Sequence, residues 1–396
     1  MGAWVEKRSQ VAHIGQVSGY TWRRRGEAFG SIQQIQVRSG VMKALVTILA
    51  SAMLAAMAPI AAAADKLKVG FIYVGPIGDH GWTYQHDVGR VRLEKELGGK
   101  IETVYVEKVA EGADSERAIT RLARQGAGLI FTTSFGYMEP TLKVAKKFKN
   151  VKFEHATGYK RADNVTTYSA RFYEGRYVIG QIAARMSKSG VAGYIASFPI
   201  PEVVRGINAF MLGAQSVNPD FKLKIVWVNS WFDPGKEADA AKVMIGQGAD
   251  IITQHTDSTA PLQIAAEKGV YGFGQASDMI KFAPKNQLTA IVNNWAPYYI
   301  KRTKAVLDGT WKSADTWEGK ATGMVTMAPY TNMPADVAKM AQATHKKLAD
   351  GSFHAFTGPI FKQDGSQAAK AGEVIDDGTL LGMNWYVKGI DDKLPQ

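Results

Sequence analysis

From residue 66 onward, short and nearly continuous apolar runs alternate with stretches whose apolar positions recur every three to four residues. The run 67–74 (LKVGFIYV) has the composition of a parallel strand buried on both faces. Helix is expected at 88–97, strand at 101–106, helix at 115–124, strand at 128–133, helix at 143–148 and strand at 151–155. Beyond Gly190 the alternation starts again, with strand at 191–196, helix at 201–216, strand at 223–228, helix at 236–245 and strand at 251–254. Strands alternating with helices in this way predict parallel sheets assembled from βαβ units.

The second series echoes the first. Residues 114–134 read DSERAITRLARQGAGLIFTTS and residues 236–256 read KEADAAKVMIGQGADIITQHT, so Gln125-Gly126-Ala127 matches Gln247-Gly248-Ala249. Each copy runs helix, glycine stop, strand, polar strand end. Two similar α/β lobes are expected.

The N-terminal region has a different pattern. Met42-Lys43 precedes an apolar, alanine-rich run at 44–58, followed by Pro59 and the small-residue tract 61–64. A short positive segment, an apolar segment of that length and an A-x-A-like cut site read as a secretory signal peptide at 42–64, cut near Ala64. A transmembrane anchor needs about 20 apolar residues and would not end in Pro59 and a run of alanines. Residues 1–41 show no sustained apolar period and read as a non-structural leader or translation from an upstream start. A twin-arginine signal at Arg24-Arg25 is the rival reading, and its spacing to the apolar run is too long. The chain contains no cysteine, so neither a disulfide nor a lipidated cysteine is available. The expectation is an exported, periplasmic protein that is not embedded in the membrane.

Cleavage would leave a chain from Asp65 to Gln396, long enough for two lobes. Residues 1–41 carry six basic and two acidic side chains and Lys43 adds one charge, so the formal net charge of +12 falls to about +7. With no run of like charges, a nucleic-acid partner is not expected.

Ligands of open α/β sheets bind beyond the carboxyl ends of the strands. Those ends supply Asp79, Trp82, Phe135, Asn229, Trp231, Asp257 and Asp278. Trp82 and Trp231, flanked by glycine or polar residues, suit the walls of a cleft around a flat π ligand, where stacking is worth about 1–3 kcal/mol per base. Asp257 and Asp278 suit hydrogen bonding to ring N–H or amino groups. Helix N-capping competes as the explanation for Asp79, Asp257 and Asp278, and plain packing for the tryptophans. Catalytic motifs are absent: there is no G-x-S-x-G, H-E-x-x-H or P-loop, and Gly75-Pro76-Ile77-Gly78 fails the spacing of a dinucleotide fingerprint and is interrupted by Pro76. His80 and His86 are wrongly spaced for a metal pair on one helix. A hydrolase would have only Asp79 with Asp257 to work with. Neither a metal, a cofactor nor enzymatic activity is expected.

Over essentially the whole length after residue 65, the chain resembles the basic membrane protein family of ABC-transporter substrate-binding proteins. The resemblance is carried by KVGFIYVGPIGDHGW, EGADSERAITRLARQGAGLIFTTSFGY, FYEGRYVIGQIAA, VVRGINAFMLGAQSVNP and GFGQASD. It implies a type I periplasmic-binding-protein fold, with two Rossmann-like lobes joined by three crossings and the ligand between them. The lobes are expected at 65–189 plus about 293–325 and at 190–292 plus about 326–396. The resemblance further implies a purine ligand, an inner-membrane ABC permease as partner and a monomer. The family's stacking aromatics fall on Trp82 and Trp231, and its late carboxylate on Asp278.

Nucleoside-binding relatives typically carry G-V-D-x-D at the late strand, the first Asp holding the ribose; here Ala276 stands in its place. That departure favours a free base such as adenine or guanine. A purine nucleoside or sugar binder of the same fold, or a ligand-sensing receptor subunit, is the alternative.

Overall fold

The computed structural model describes residues 66–78 and 80–395; the expected leader, signal peptide and Asp79 lie outside the described residues. Two six-stranded sheets organise the chain, in the orders β11-β5-β4-β3-β1-β2 and β12-β10-β9-β8-β6-β7. The first contains β1 (Leu67–Ile72), β2 (Ile101–Val106), β3 (Leu129–Thr132), β4 (Lys152–Ala156), β5 (Val165–Ala170) and β11 (Asp315–Glu318), all paired in parallel. The second contains β6 (Val191–Ala196), β7 (Lys222–Trp227), β8 (Ile251–His255), β9 (Tyr271–Gly274), β10 (Gln287–Asn293) and β12 (Val325–Met327), of which only β12 runs antiparallel to its neighbour. The central strands are apolar on both faces because helices cover both: all of β3 and β8 is buried.

The repeat read from the sequence is an architectural one. Helix Ala113–Arg124 enters β3 and helix Pro234–Gly246 enters β8, and these strands hold equivalent places in their sheets. In both copies the glycine takes a left-handed backbone (φ 86° at Gly126, 95° at Gly248) and the following alanine N–H bonds back to the helix, Ala127 to Leu122 O at 3.1 Å and Ala249 to Met244 O at 3.0 Å. This is a Schellman stop, which a side chain at the glycine would strain.

The chain crosses between the sheets three times: from β5 to helix Phe172–Met186, from β10 to helix Ala296–Leu307, and from β11 to β12. The first crossing lies at Arg171, not at the expected 189. Helix Phe172–Met186 packs on helix Pro201–Gln215 of the second lobe, so closely that a Cβ at Gly180 would meet Phe210 O at 2.0 Å and one at Gly213 would meet Tyr177 O at 2.1 Å. Glycine at the contact lets the two backbones touch, and that contact assigns the helix to the second lobe.

In the first lobe, Glu154 is the buried pin. Its carboxylate accepts hydrogen bonds from Tyr298 Oη (2.5 Å), Arg302 Nε (2.6 Å) and Trp311 Nε1 (2.6 Å), tying the returning helix Ala296–Leu307 to β4. After helix Ala335–Ala349 the tail runs along the second lobe. Asn208 donates to Trp385 O and accepts from Val387 N, and Asp392 accepts from Ile225 N at 2.7 Å. The tail also reaches the first crossing, where Asp377 makes a two-pronged salt bridge to Arg171 at 2.7 and 2.6 Å.

Candidate functional site

The carboxyl ends of both sheets face one another across a cleft, and the lobes touch there. Gly81 N donates to Ser277 Oγ at 2.7 Å, Trp231 Nε1 donates to Glu111 Oε1 at 3.1 Å, and the Trp82 N–H donates to the Asp257 carboxyl group. Gly81 is essential to the approach. It adopts φ 92°, and a Cβ there would sit 2.1 Å from Asp257 O.

Between these contacts lies a narrow cavity of about 20 Å3, room for about one water molecule with the lobes as close as they are here. Val74, Trp82, Ser134, Phe135 and Thr157 line it from the first lobe; Glu202, Trp231, His255, Asp257 and Gln275 line it from the second. Trp82, Phe135, Trp231 and Asp257 are therefore brought together as expected residues.

Trp82 is held rigidly. It opens helix Trp82–Leu97 and does not sit in a loop; its indole N–H donates to Thr133 O at 2.6 Å, and the ring stands edge-on to Phe172, Trp295 and His86. His86 in turn stacks on Trp295 with centroids 4.7 Å apart, and burial holds its imidazole neutral, its pKa well below the usual histidine value. Across the cleft, Trp231 leans on Phe198 with centroids 5.1 Å apart.

Asp257 does not cap its own helix. Thr259 is the residue preceding helix Ala260–Glu267, while the Asp257 carboxyl meets the start of helix Trp82–Leu97 from the opposite lobe. Burial, then the charges of Glu237 and Glu202, push its pKa well above the usual carboxylate value. His255 Nε2 lies 3.4 Å from Glu202 Oε1, and burial lowers the His255 pKa.

Two expected residues lie elsewhere. Asp278 is turned into its own loop, where Oδ1 accepts from Ile280 N at 3.1 Å and Gln287 Nε2 at 2.7 Å. Asn229, with φ 50°, lies in an outer groove with Lys108 and Phe232, beside Trp231 but outside the cavity lining. Conversely, Glu111, Glu202, His255 and Gln275 were not singled out from the sequence. His255 ends β8 and Gln275 follows β9, and those positions are the available signal; Glu111 stands just before a helix and Glu202 in the first turn of one, where each looks like an ordinary helix-start acid. Among the described residues, no group of three or more potential ligand side chains is placed to hold a metal, and no helix is long and apolar enough to cross a membrane.

Two parallel-sheet lobes around an aromatic-walled, polar-edged cavity define a ligand-binding protein of the type I periplasmic-binding-protein fold. The chain belongs to the PnrA-like family of ABC-transporter substrate-binding proteins, whose profile matches residues 66–352. It is 69% identical over 334 residues to a purine-binding protein of Brucella abortus, covering 84% of this chain and 95% of that one. A putative ABC-transporter glucose-binding protein of Haloferax volcanii is 33% identical over 332 residues, covering 84% of this chain and 82% of that one. Solute-binding proteins of ABC systems from Aeropyrum pernix and Conexibacter woesei share the fold, with TM-scores of 0.64 and 0.59 at 18% and 21% identity. These structures cover 79% and 73% of this chain and 95% and 98% of their own. The chain is a binding protein and not an enzyme.

Proposed function

We propose that this chain captures a free purine base, adenine or guanine, in the periplasm and hands it to an inner-membrane ABC permease. The observation that carries the reading is that Trp82 and Phe135 of one lobe and Trp231 of the other line the same cavity, together with Glu202, Asp257 and Gln275. A planar heteroaromatic ring gains stacking on its faces and hydrogen bonds on its edge only when both lobes are in place. The ligand therefore stabilises the closed arrangement by its differential affinity for it. The similarity to a protein named as purine-binding supports the ligand class. At the late strand, buried Ala276 offers no carboxylate for a ribose, which favours the base over the nucleoside.

A sugar is the second reading, because a relative is named as a putative glucose-binding protein and tryptophan faces also pack on sugar rings. A thermal-shift panel on residues 65–396, unfolded and refolded to remove carried-over ligand, separates the two. Stabilisation by adenine or guanine exceeding that by adenosine, guanosine and glucose is the expected result. A shift with nucleosides alone overturns the free-base assignment, and a shift with glucose alone overturns the purine assignment.

A further inference from the structure

Behind the cavity wall sits a cation with no ion pair among the described residues. Arg176, on helix Phe172–Met186, is 1% exposed. Its Nη2 donates to Gln275 Oε1 at 2.5 Å and its Nη1 to Thr253 Oγ1 at 3.4 Å; the guanidinium lies 5.3 Å from the centre of the Tyr194 ring, and Nε has no acceptor. Glu202, which lines the cavity, acts on it only through space. A buried guanidinium without a bonded carboxylate is costly, and packing alone would be served better by an apolar residue.

The chemistry of the contact gives the charge a purpose. A guanidinium has donors and no acceptor, so the Gln275 amide must turn its oxygen toward Arg176. The group left for the cavity that Gln275 lines is then the N–H2, and no described protein group takes its hydrogen bond. An unrestrained glutamine offers either end of its amide; this one is held to one end.

We propose that Arg176 is a positioning residue that locks the Gln275 amide with its N–H2 toward the ligand, so that the site selects ligands with an unprotonated ring acceptor at that point. This rests on the purine reading above. It assigns the discrimination to a neutral donor oriented from behind and not to a charged group in the cavity.

The test is calorimetric titration of refolded protein with adenine and with its 1-, 3- and 7-deaza analogues, each lacking one ring acceptor. In the unaltered protein, at least one analogue is expected to bind about tenfold or more weakly than adenine, the size of a lost hydrogen bond that leaves a buried donor unpaired. Gln275→Glu keeps a partner for Arg176 but presents an oxygen to the cavity, and it should abolish that selectivity ratio. Arg176→Met keeps the amide but removes the group that orients it, and should bring the affinities for adenine and that analogue together. A purely structural role for Arg176 would change affinities for all four ligands in parallel and leave the ratio unchanged. Equal binding of all four ligands to the unaltered protein overturns the inference while the purine reading stands. No binding of any of them overturns the purine reading itself, and this inference with it.

Discussion

The Trp231 indole N–H reaches across the cleft to Glu111, 3.1 Å away, joining the aromatic wall of one lobe to a carboxylate of the other. The same Glu111 oxygen accepts from Ser134 Oγ at 2.6 Å and Gly136 N at 2.9 Å, so it is already fixed when Trp231 arrives. A preset acceptor makes the contact a latch, because little ordering is left for closure to impose. Glu111→Ala should weaken ligand binding about tenfold, chiefly through faster release. Stopped-flow dissociation measures this, and an unchanged release rate would remove the latch role.

Trp82→Ala removes a stacking face worth about 1–3 kcal/mol. The expected loss of affinity is about 10- to 100-fold, with far-UV circular dichroism unchanged. Undiminished affinity in the variant would take Trp82 out of the ligand site.

Gly81 controls how far the lobes close. With only 2.1 Å between a Cβ there and Asp257 O, Gly81→Ala should hold the cleft ajar. Small-angle scattering of the variant at saturating ligand should give a larger radius of gyration than the parent, together with weaker binding. Matching radii would mean that the backbone yields at this point.

Asp257 imposes a pH dependence whose sign follows from its surroundings. Its folded-state pKa is raised by burial first and by Glu237 and Glu202 second. The folded protein therefore holds a proton that the unfolded chain releases near the usual carboxylate value. Stability from this group is complete below that value and is lost as pH rises toward the folded pKa. Asp257→Asn, neutral at every pH, should stabilise the ligand-free protein by about 1 kcal/mol at pH 8. The gain should shrink as the pH is lowered toward 4. Thermal denaturation across that range tests it; a gain that grows on acidification would reverse the assignment.

Glu154→Ala leaves Arg302, Tyr298 and Trp311 without their shared acceptor inside the first lobe. Removing one partner of a buried pair costs about 3–5 kcal/mol. Denaturant unfolding should register a loss of that order, while ligand affinity of the folded fraction stays near the parent value.

How much of this was legible in the chain depends on what fixes each element. β2 and β6 have the bounds predicted, 101–106 and 191–196: in β6 burial on both faces writes itself directly into composition, whereas β2, a partly exposed edge strand, is marked by its β-branched and aromatic residues. Helix Trp82–Leu97 starts six residues before its expected beginning because Gly81, which has no capping side chain, gives no start signal. Periodicity identifies a buried helix but not the sheet it covers, so Phe172–Met186 was expected in the wrong lobe. The aromatic walls could be read because tryptophan at a strand end has few packing explanations. Asp278 could not be told from Asp257, because whether a loop carboxylate faces the cleft or its own turn depends on long-range placement, here on Gln287.

The tail gives the molecule one more property. Lys66, at the start of the described chain, is tied to Gly98 O on the first lobe, while Asp392, near its end, is tied to Ile225 N on the second. The two ends of the described residues thus sit on different lobes, which the proposed closure would move relative to each other. Fluorophores attached near Lys66 and near Asp392 would, on that closure, convert occupancy into energy transfer without touching the cleft, and make an optical gauge for the ligand.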